Sequence, residues 1–339
     1  MAPSSPVDQL QRFWQGATLP LPVVVVGGGR WGRTWLSVIN QAHGSCRDVV
    51  IVGHSNPDEL RAWLADRGDF NGLQVAESLA EATDLLPAAA AAIVASRPRD
   101  HLRDGLSALQ HGLHVLVEKP LAASGAMGEA LLLAAQDARR DLCIGTEFAL
   151  LPAFHQCVAA LARKGARKAT RVHLEWHDPP QEWRHGAAKQ RHEEVALLVD
   201  LMWHAVSIFQ VFAPDALFRV VRAQQNTSGN EGILQLQDEA GALCDLVCST
   251  NAGRRVRMLT IDTGATRASI DFSSDVPVII IDGQRLPASD ELSAFGSTLR
   301  LELGAFFLHA TGDRTPNFIS SGASTLVALQ TQLEHLLYS

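Results

Sequence analysis

No long cluster of lysine or arginine occurs in these 339 residues, and the net charge is −7, which argues against a nucleic-acid partner. Long apolar runs are also missing. The most extended, near Ala88–Val94, falls far short of the ~20 residues a spanning helix needs, so no membrane partner is expected. The start, MAPSSPVDQLQRFW, lacks a basic segment followed by an apolar one and reads as carrying no secretory signal. Cysteine is sparse. Cys46, Cys143, Cys157, Cys244 and Cys248 are odd in number and fit no disulfide framework, which suits a reducing cytoplasm. Cys244 and Cys248 lie four apart in an apparent strand, share a face, and read as small buried apolar groups. Charged residues make up only 19% against 47% hydrophobic, so the chain can bury a sizeable core and is not disordered. No internal repeat or low-complexity segment is present.

The length favours two domains. Residues 1–20 read as an extension with one short amphipathic helix, VDQLQRFW. From Pro22 strands and helices alternate. Five apolar strands, PVVVVGG, DVVIVGHS, AAIVASRP, HVLVEKP and DLCIGTEF, are separated by helical patterns such as RWGRTWLSVINQAH and RDHLRDGLSALQHG. Such alternation makes a doubly wound parallel sheet of the Rossmann type over residues 21–149. After about Phe148 the rhythm changes. A helix near 152–165, the strand RVHLEWHD, a polar stretch and the helical EEVALLVDLMWHAVSIFQVF are followed by six consecutive strands, LFRVVRAQQ to PVIIID. Strands without intervening helices predict an α+β domain over residues 150–339 with a large, mostly antiparallel open sheet, its last helices packing back on the first domain.

Gly27, Gly29 and Gly32 form G-x-G-x-x-G at the first strand–helix junction. The first glycine permits the tight turn, the second admits a pyrophosphate to the backbone, and the third lets helix and strand close up. The helix N-terminus then offers N–H groups to phosphate. An acid that would hold the ribose 2′-hydroxyl of NAD is expected at the end of the second strand, but GHSNP has none before Asp58. His54, Ser55 and Asn56 stand there instead, and Arg30 or Arg33 is placed to reach a 2′-phosphate. The expected cofactor is therefore NADP, with NAD as the alternative. Trp31, Ser96, Arg97, His101, Glu118 and Lys119 complete the expected cofactor-binding set.

Lys119 closes the fourth expected strand in VLVEKPLA, at the sheet edge where ligands bind. At this point VVVVGGGRWGR, ASRPRDHLRDGLSALQHGLHVLVEKPLA and VDLMWHAV together resemble the oxidoreductases that include glucose–fructose oxidoreductase and inositol dehydrogenase, the Gfo/Idh/MocA family. The resemblance covers nearly the whole chain after residue 21. It implies a Rossmann domain, a C-terminal sheet used for oligomerisation as a dimer or tetramer, and NAD(P)-linked hydride transfer on sugars, polyols or related carbonyls. Lys119 matches the lysine of its E-K-P motif, and Asp200 and His204 match the acid and histidine of D-x-x-x-H. The residues themselves agree: Asp200 and His204 are at i and i+4 on an otherwise apolar helix, where two polar groups are costly unless they serve a site. The expected roles are proton exchange by His204, orientation of the imidazole or a share in the proton transfer by Asp200, and charge stabilisation by Lys119. All three require the Lys119 ammonium and the His204 imidazole to act over one nicotinamide.

The family pattern is also broken. Ala149 and Leu150 stand where an Arg-Phe pair is common, with Glu147 nearby. Met202 replaces a glycine, Trp203 precedes the histidine, and Ser207 replaces an aspartate. An altered pocket is implied, with Glu147, His177, Trp183, Arg184 and Trp203 as candidate substrate contacts. In RVHLEWHD, Arg171, His173, Glu175 and His177 share a polar face that borders either the substrate cleft or an oligomer interface. The stretch EWRHGAAKQRHEE is either a solvated loop or a lid. No metal site is expected. The resulting expectation is a hydride-transferring enzyme acting on a small carbonyl, hydroxyl or imine compound such as a keto-sugar. A cofactor-recycling lyase or glycosidase-type enzyme and a non-catalytic NADP-binding sensor are the alternatives.

Overall fold

A computed structural model describes residues 7, 10, 11, 13, 21–55, 57–70, 72–166, 168–181, 183–184, 187–188, 194–214, 216–287, 295–313 and 323–338. The rest of the 1–20 extension, Asn56, and His185, Lys189, Arg191 and His192 of the polar stretch lie outside the described residues. Close packing divides the chain into two units, residues 1–146 with 299–324, and residues 147–298 with 325–339.

The first unit is a six-stranded, all-parallel sheet in the order β3-β2-β1-β4-β5-β6. Its strands are β1 (Val23–Val26), β2 (Val49–Val52), β3 (Gln74–Ala76), β4 (Ala91–Val94), β5 (His114–Glu118) and β6 (Leu142–Gly145). Between them run α1 (Arg30–His43), α2 (Pro57–Ala65), α3 (Leu79–Leu85), α4 (His101–Gln110) and α5 (Gly125–Ala138). The Val, Ile and Ala runs of β1, β2 and β4 are buried along their whole length, as helices on both faces require. This is the doubly wound order, with the switch point between β1 and β4. The parallel sheet agrees with the sequence reading, except that it has six strands where five were read. The additional β3 is three residues long, sits at an edge and is buried only at Ala76, so it carries no apolar run.

The second unit holds α6 (Pro152–Arg163), β7 (Arg171–His177), a short hairpin of β8 (Trp183–Arg184) and β9 (Ala187–Ala188), and α7 (Leu197–Phe212). After them come β10 (Phe218–Gln225), β11 (Glu231–Asp238), β12 (Leu243–Ser249), β13 (Val256–Asp262), β14 (Arg267–Asp271), β15 (Val278–Ile281) and β16 (Gln284–Arg285). Its eight-stranded sheet runs β10-β11-β12-β7-β13-β14-β15-β16 and is antiparallel except for the β12–β7 pair, which is parallel. One face is apolar and covered: α7 lies against β7, β11 and β12, and α6 against β14 and β15. The other face shows half-buried Val247, Met258 and Val278 and exposed Ile233 and Ile280, beside Arg171, His173, Glu175 and His177. α8 (Phe295–Ala310) supplies Glu302 to the first unit, where its buried carboxylate accepts a hydrogen bond from the Thr146 amide at 2.6 Å. α9 (Ala323–Tyr338) falls from Thr325 onward in the second unit.

All five cysteines are free and buried, Cys244 and Cys248 among them. Burial pushes the Cys46 thiol up to about 11 and that of Cys157 to about 12. Among the described residues, no helix is long and apolar enough to cross a membrane.

Candidate active site

In the first unit the glycine turn joins β1 to α1. Gly27 has φ +122°, and a Cβ there would stand 2.7 Å from the Ala95 carbonyl oxygen at the end of β4. A Cβ on Gly32 would stand 1.7 Å from the Gly27 carbonyl oxygen, so helix and turn close only over a bare backbone. Gly29 is different: nothing lies within 4 Å of its Cβ position. Gly29 also caps α1 with no side-chain hydrogen bond, and the first turn of that helix has no acidic residue. Open space, a positive helix end and no competing carboxylate fit a pyrophosphate. The residues present therefore suit a dinucleotide on an observation of this chain, the bare backbone at Gly27–Gly32.

Around that turn, Arg30 is exposed and its guanidinium lies 5.6 Å from the half-buried Trp31 ring. Arg33 is already committed: its Nε donates to the Gly28 carbonyl at 3.0 Å, and an NH2 group donates to Glu59 at 2.9 Å. His54 and Ser55 are exposed at the end of β2. The His54 Nε2 lies 3.4 Å from Asp104 Oδ1. The hydrogen bond to Asp104 is the main reason its pKa is raised. Burial pushes Asp104 upward, but its hydrogen bonds to His54 and Arg103 help outweigh that and hold it at about 2.

At the ends of β4 and β5, Ser96 is half-buried and Arg97 exposed. His101 is buried between these ends. Its Nδ1 lies 2.9 Å from the Pro120 carbonyl oxygen and its Nε2 3.1 Å from that of Ser96, so it joins two backbone segments. Glu118 turns inward and accepts a hydrogen bond from the Trp35 indole at 2.8 Å. Burial pushes the Glu118 carboxyl up to about 7. Lys119, the next residue, is half-buried at the carboxyl end of the sheet.

In the second unit His204 is 5% exposed on α7, a helix whose other buried residues are apolar apart from Ser207. Its ring stacks on Trp176, with centroids 5.4 Å apart and planes at 10°, and Phe148 meets it edge-on at 5.0 Å. Its Nδ1 lies 3.9 Å from Oε2 of Glu147, itself only 3% exposed in the one-turn helix Glu147–Leu150. Asp200 is half-buried in the first turn of α7, where a carboxylate also suits the helix dipole. Trp203 is fully buried in the core of the unit. The His177 side chain alternates to the strand face opposite Trp176, 3.8 Å from Glu175, and so lies away from the His204 cage. The side chains of Trp183 and Arg184 lie outside the described residues. Among the described residues, no group of three or more His, Cys, Asp or Glu side chains is arranged to hold a metal ion. Sequence spacing missed two members of this cluster: Trp176, whose inward position needed the strand register, and Arg257, stacked behind it.

A family model described as the Gfo/Idh/MocA oxidoreductase family, NAD-binding Rossmann fold, matches residues 21–146. That segment is similar to the NAD-binding domain of this family. The match spans the glycine turn, Lys119 and every strand of the parallel sheet. A comparison with curated proteins finds no significant match. Among solved structures, the chain is similar to the UDP-N-acetylglucosamine 3-dehydrogenase GnnA from Acidithiobacillus ferrooxidans, at 20% identity and a TM-score of 0.69, covering 94% of this chain and 99% of that one. It is also similar to KijD10, a 3-ketoreductase from Actinomadura kijaniata in complex with NADP and TDP-benzene, at 17% identity and TM-score 0.70, covering 93% and 97%. A third is GenD2 from gentamicin A biosynthesis in complex with NAD, at 20% identity and TM-score 0.72, covering 94% and 95%. These likenesses show that the fold of both units is shared with those solved structures.

Proposed function

We propose that this chain is an NADPH-preferring reductase of a sugar-borne ketone, acting in reverse as a dehydrogenase of the matching alcohol. The observation that carries the reading is the buried His204–Glu147 pair, set in an aromatic cage in a chain whose other unit is a nicotinamide-dinucleotide domain. A sugar substrate is supported by the neighbours, a nucleotide-sugar 3-dehydrogenase and a 3-ketoreductase. NADP over NAD is supported by the end of β2, where His54 and Ser55 stand exposed and no carboxylate precedes Asp58. With Arg33 held by Glu59, Arg30 is the cation assigned to the 2′-phosphate.

A dinucleotide on the Gly27–Gly32 turn supplies hydride-transfer chemistry. The chain supplies the rest. Lys119 stabilises the negative charge that develops on the substrate oxygen. His204 gives the proton that neutralises it, or takes one in the oxidative direction. Glu147 balances the imidazolium charge on the Nδ1 side. The outer face of the second sheet, with Val247, Met258 and Ile280, is assigned to pairing between copies of the chain. Five free thiols support a reducing compartment, the cytoplasm.

The test is a panel of nucleotide-linked keto-sugars with NADPH, followed at the reduced-nicotinamide band. His204→Gln is expected to lower kcat by about 10²–10⁴-fold and Lys119→Ala by about 10²–10³-fold. Both variants should stay folded and bind NADPH. Near-normal turnover in both overturns the assignment. Product formation without net change in the absorbance would instead indicate cofactor recycling. An NADH dissociation constant below that for NADPH would reverse the cofactor preference.

A further inference from the structure

Arg257 is fully buried, which is expensive for a cation unless its charge and its donors are met. Its charge and its NH1 and NH2 donors are met. One NH1 group donates to the His177 and Val256 carbonyls, both at 2.8 Å, and an NH2 group donates to the buried carboxylate of Asp178. The same guanidinium lies 3.9 Å from the Trp176 ring centroid. The sheet register explains the contact, because Arg257 and Trp176 are directly opposed on neighbouring antiparallel strands. Trp176 in turn stacks parallel to the His204 imidazole, while Phe148 stands perpendicular to both rings at 5.1 and 5.0 Å. Two rings, one of them backed by a guanidinium, therefore leave the imidazole little freedom to rotate. The charged groups around it are Glu147 at Nδ1, Asp200 one turn earlier on its own helix, and Arg257 with Asp178 against Trp176.

We propose that Trp176, clamped by the Asp178–Arg257 pair, is a positioning residue that fixes the plane of the His204 imidazole and so the direction of its proton transfer. Planarity makes arginine suited to this task in a way lysine is not, since a guanidinium both stacks on an indole and fills several acceptors at once. The proposal rests on the proton-transfer role assigned to His204 above.

The experiment uses full-length protein saturated with NADP+ and labelled with 15N-histidine, with His204→Gln serving to assign the imidazole signals. Trp176→Leu is expected to move the His204 titration midpoint by at least about 0.5 pH unit and to broaden its signals. The NADP+ dissociation constant should stay within about two-fold of the original value. Trp176→Phe, which keeps a ring, should restore most of the original midpoint. Arg257→Lys should resemble Trp176→Leu, and if it fails to fold the two Trp176 variants decide alone. An unchanged midpoint in folded Trp176→Leu overturns the proposal. So does an equal displacement in the Phe and Leu variants. These signals do not depend on turnover. Normal activity in His204→Gln would therefore remove the proton-transfer role separately, while the spectra would still report whether Trp176 holds the ring.

Discussion

Glu118 and Gly32 both constrain the first unit, and each does so differently. Gly32 is limited by space: a methyl group 1.7 Å from the Gly27 carbonyl oxygen cannot be accommodated without opening the turn. Gly32→Ala is expected to abolish measurable NADPH binding and to lower the melting temperature, both read in one thermal-shift titration. Glu118 is limited by charge. Its carboxyl has a folded pKa of about 7 against 4.5 in the open chain, because burial disfavours the anion. The fold therefore prefers the protonated form. This group carries no penalty below about pH 4.5, and stability falls as pH rises towards and through 7. The full effect is on the order of 3 kcal/mol. Glu118→Gln keeps an acceptor for the Trp35 indole and removes the titration. It should gain stability over the original protein at pH 8 but not at pH 4, read from urea midpoints, and an equal difference at both would refute the account.

Helix α7 carries His204, the residue to which proton transfer is assigned above, and it packs against a glycine. A Cβ on Gly232 of β11 would stand 2.7 Å from Leu198 at the start of α7. Gly232→Ala is expected to cost about 1–3 kcal/mol and to lower turnover through displacement of His204. Denaturation midpoints and kcat on the same preparation check both. The same helix shows what a sequence can and cannot reveal. Its apolar run and the i, i+4 spacing of Asp200 and His204 were legible without coordinates, as were the valine strand and the glycine turn. The approach of Glu147 to His204 was not, since nothing in linear spacing joins a one-turn helix after β6 to the second turn of α7. Trp176 and Arg257 became partners only through the β7–β13 register. Local patterns record periodicity and turn chemistry, whereas side-chain pairs made by strand order depend on the whole sheet.

The second sheet has one face covered by α6 and α7; among the described residues no helix packs on the other, which mixes Val247, Met258 and Ile280 with a His173–Glu175–His177 stripe. Pairing between copies would bury those apolar groups. Met258→Glu is therefore expected to shift the protein to a slower-sedimenting monomer, with each unit still folded. A monomeric original protein would show that the face has another use. Finally, the five buried thiols give this chain a built-in reporter. A maleimide dye should leave the native form dark and label it only as segments open, so the unfolding rate of every variant above can be followed by fluorescence without engineering a tag.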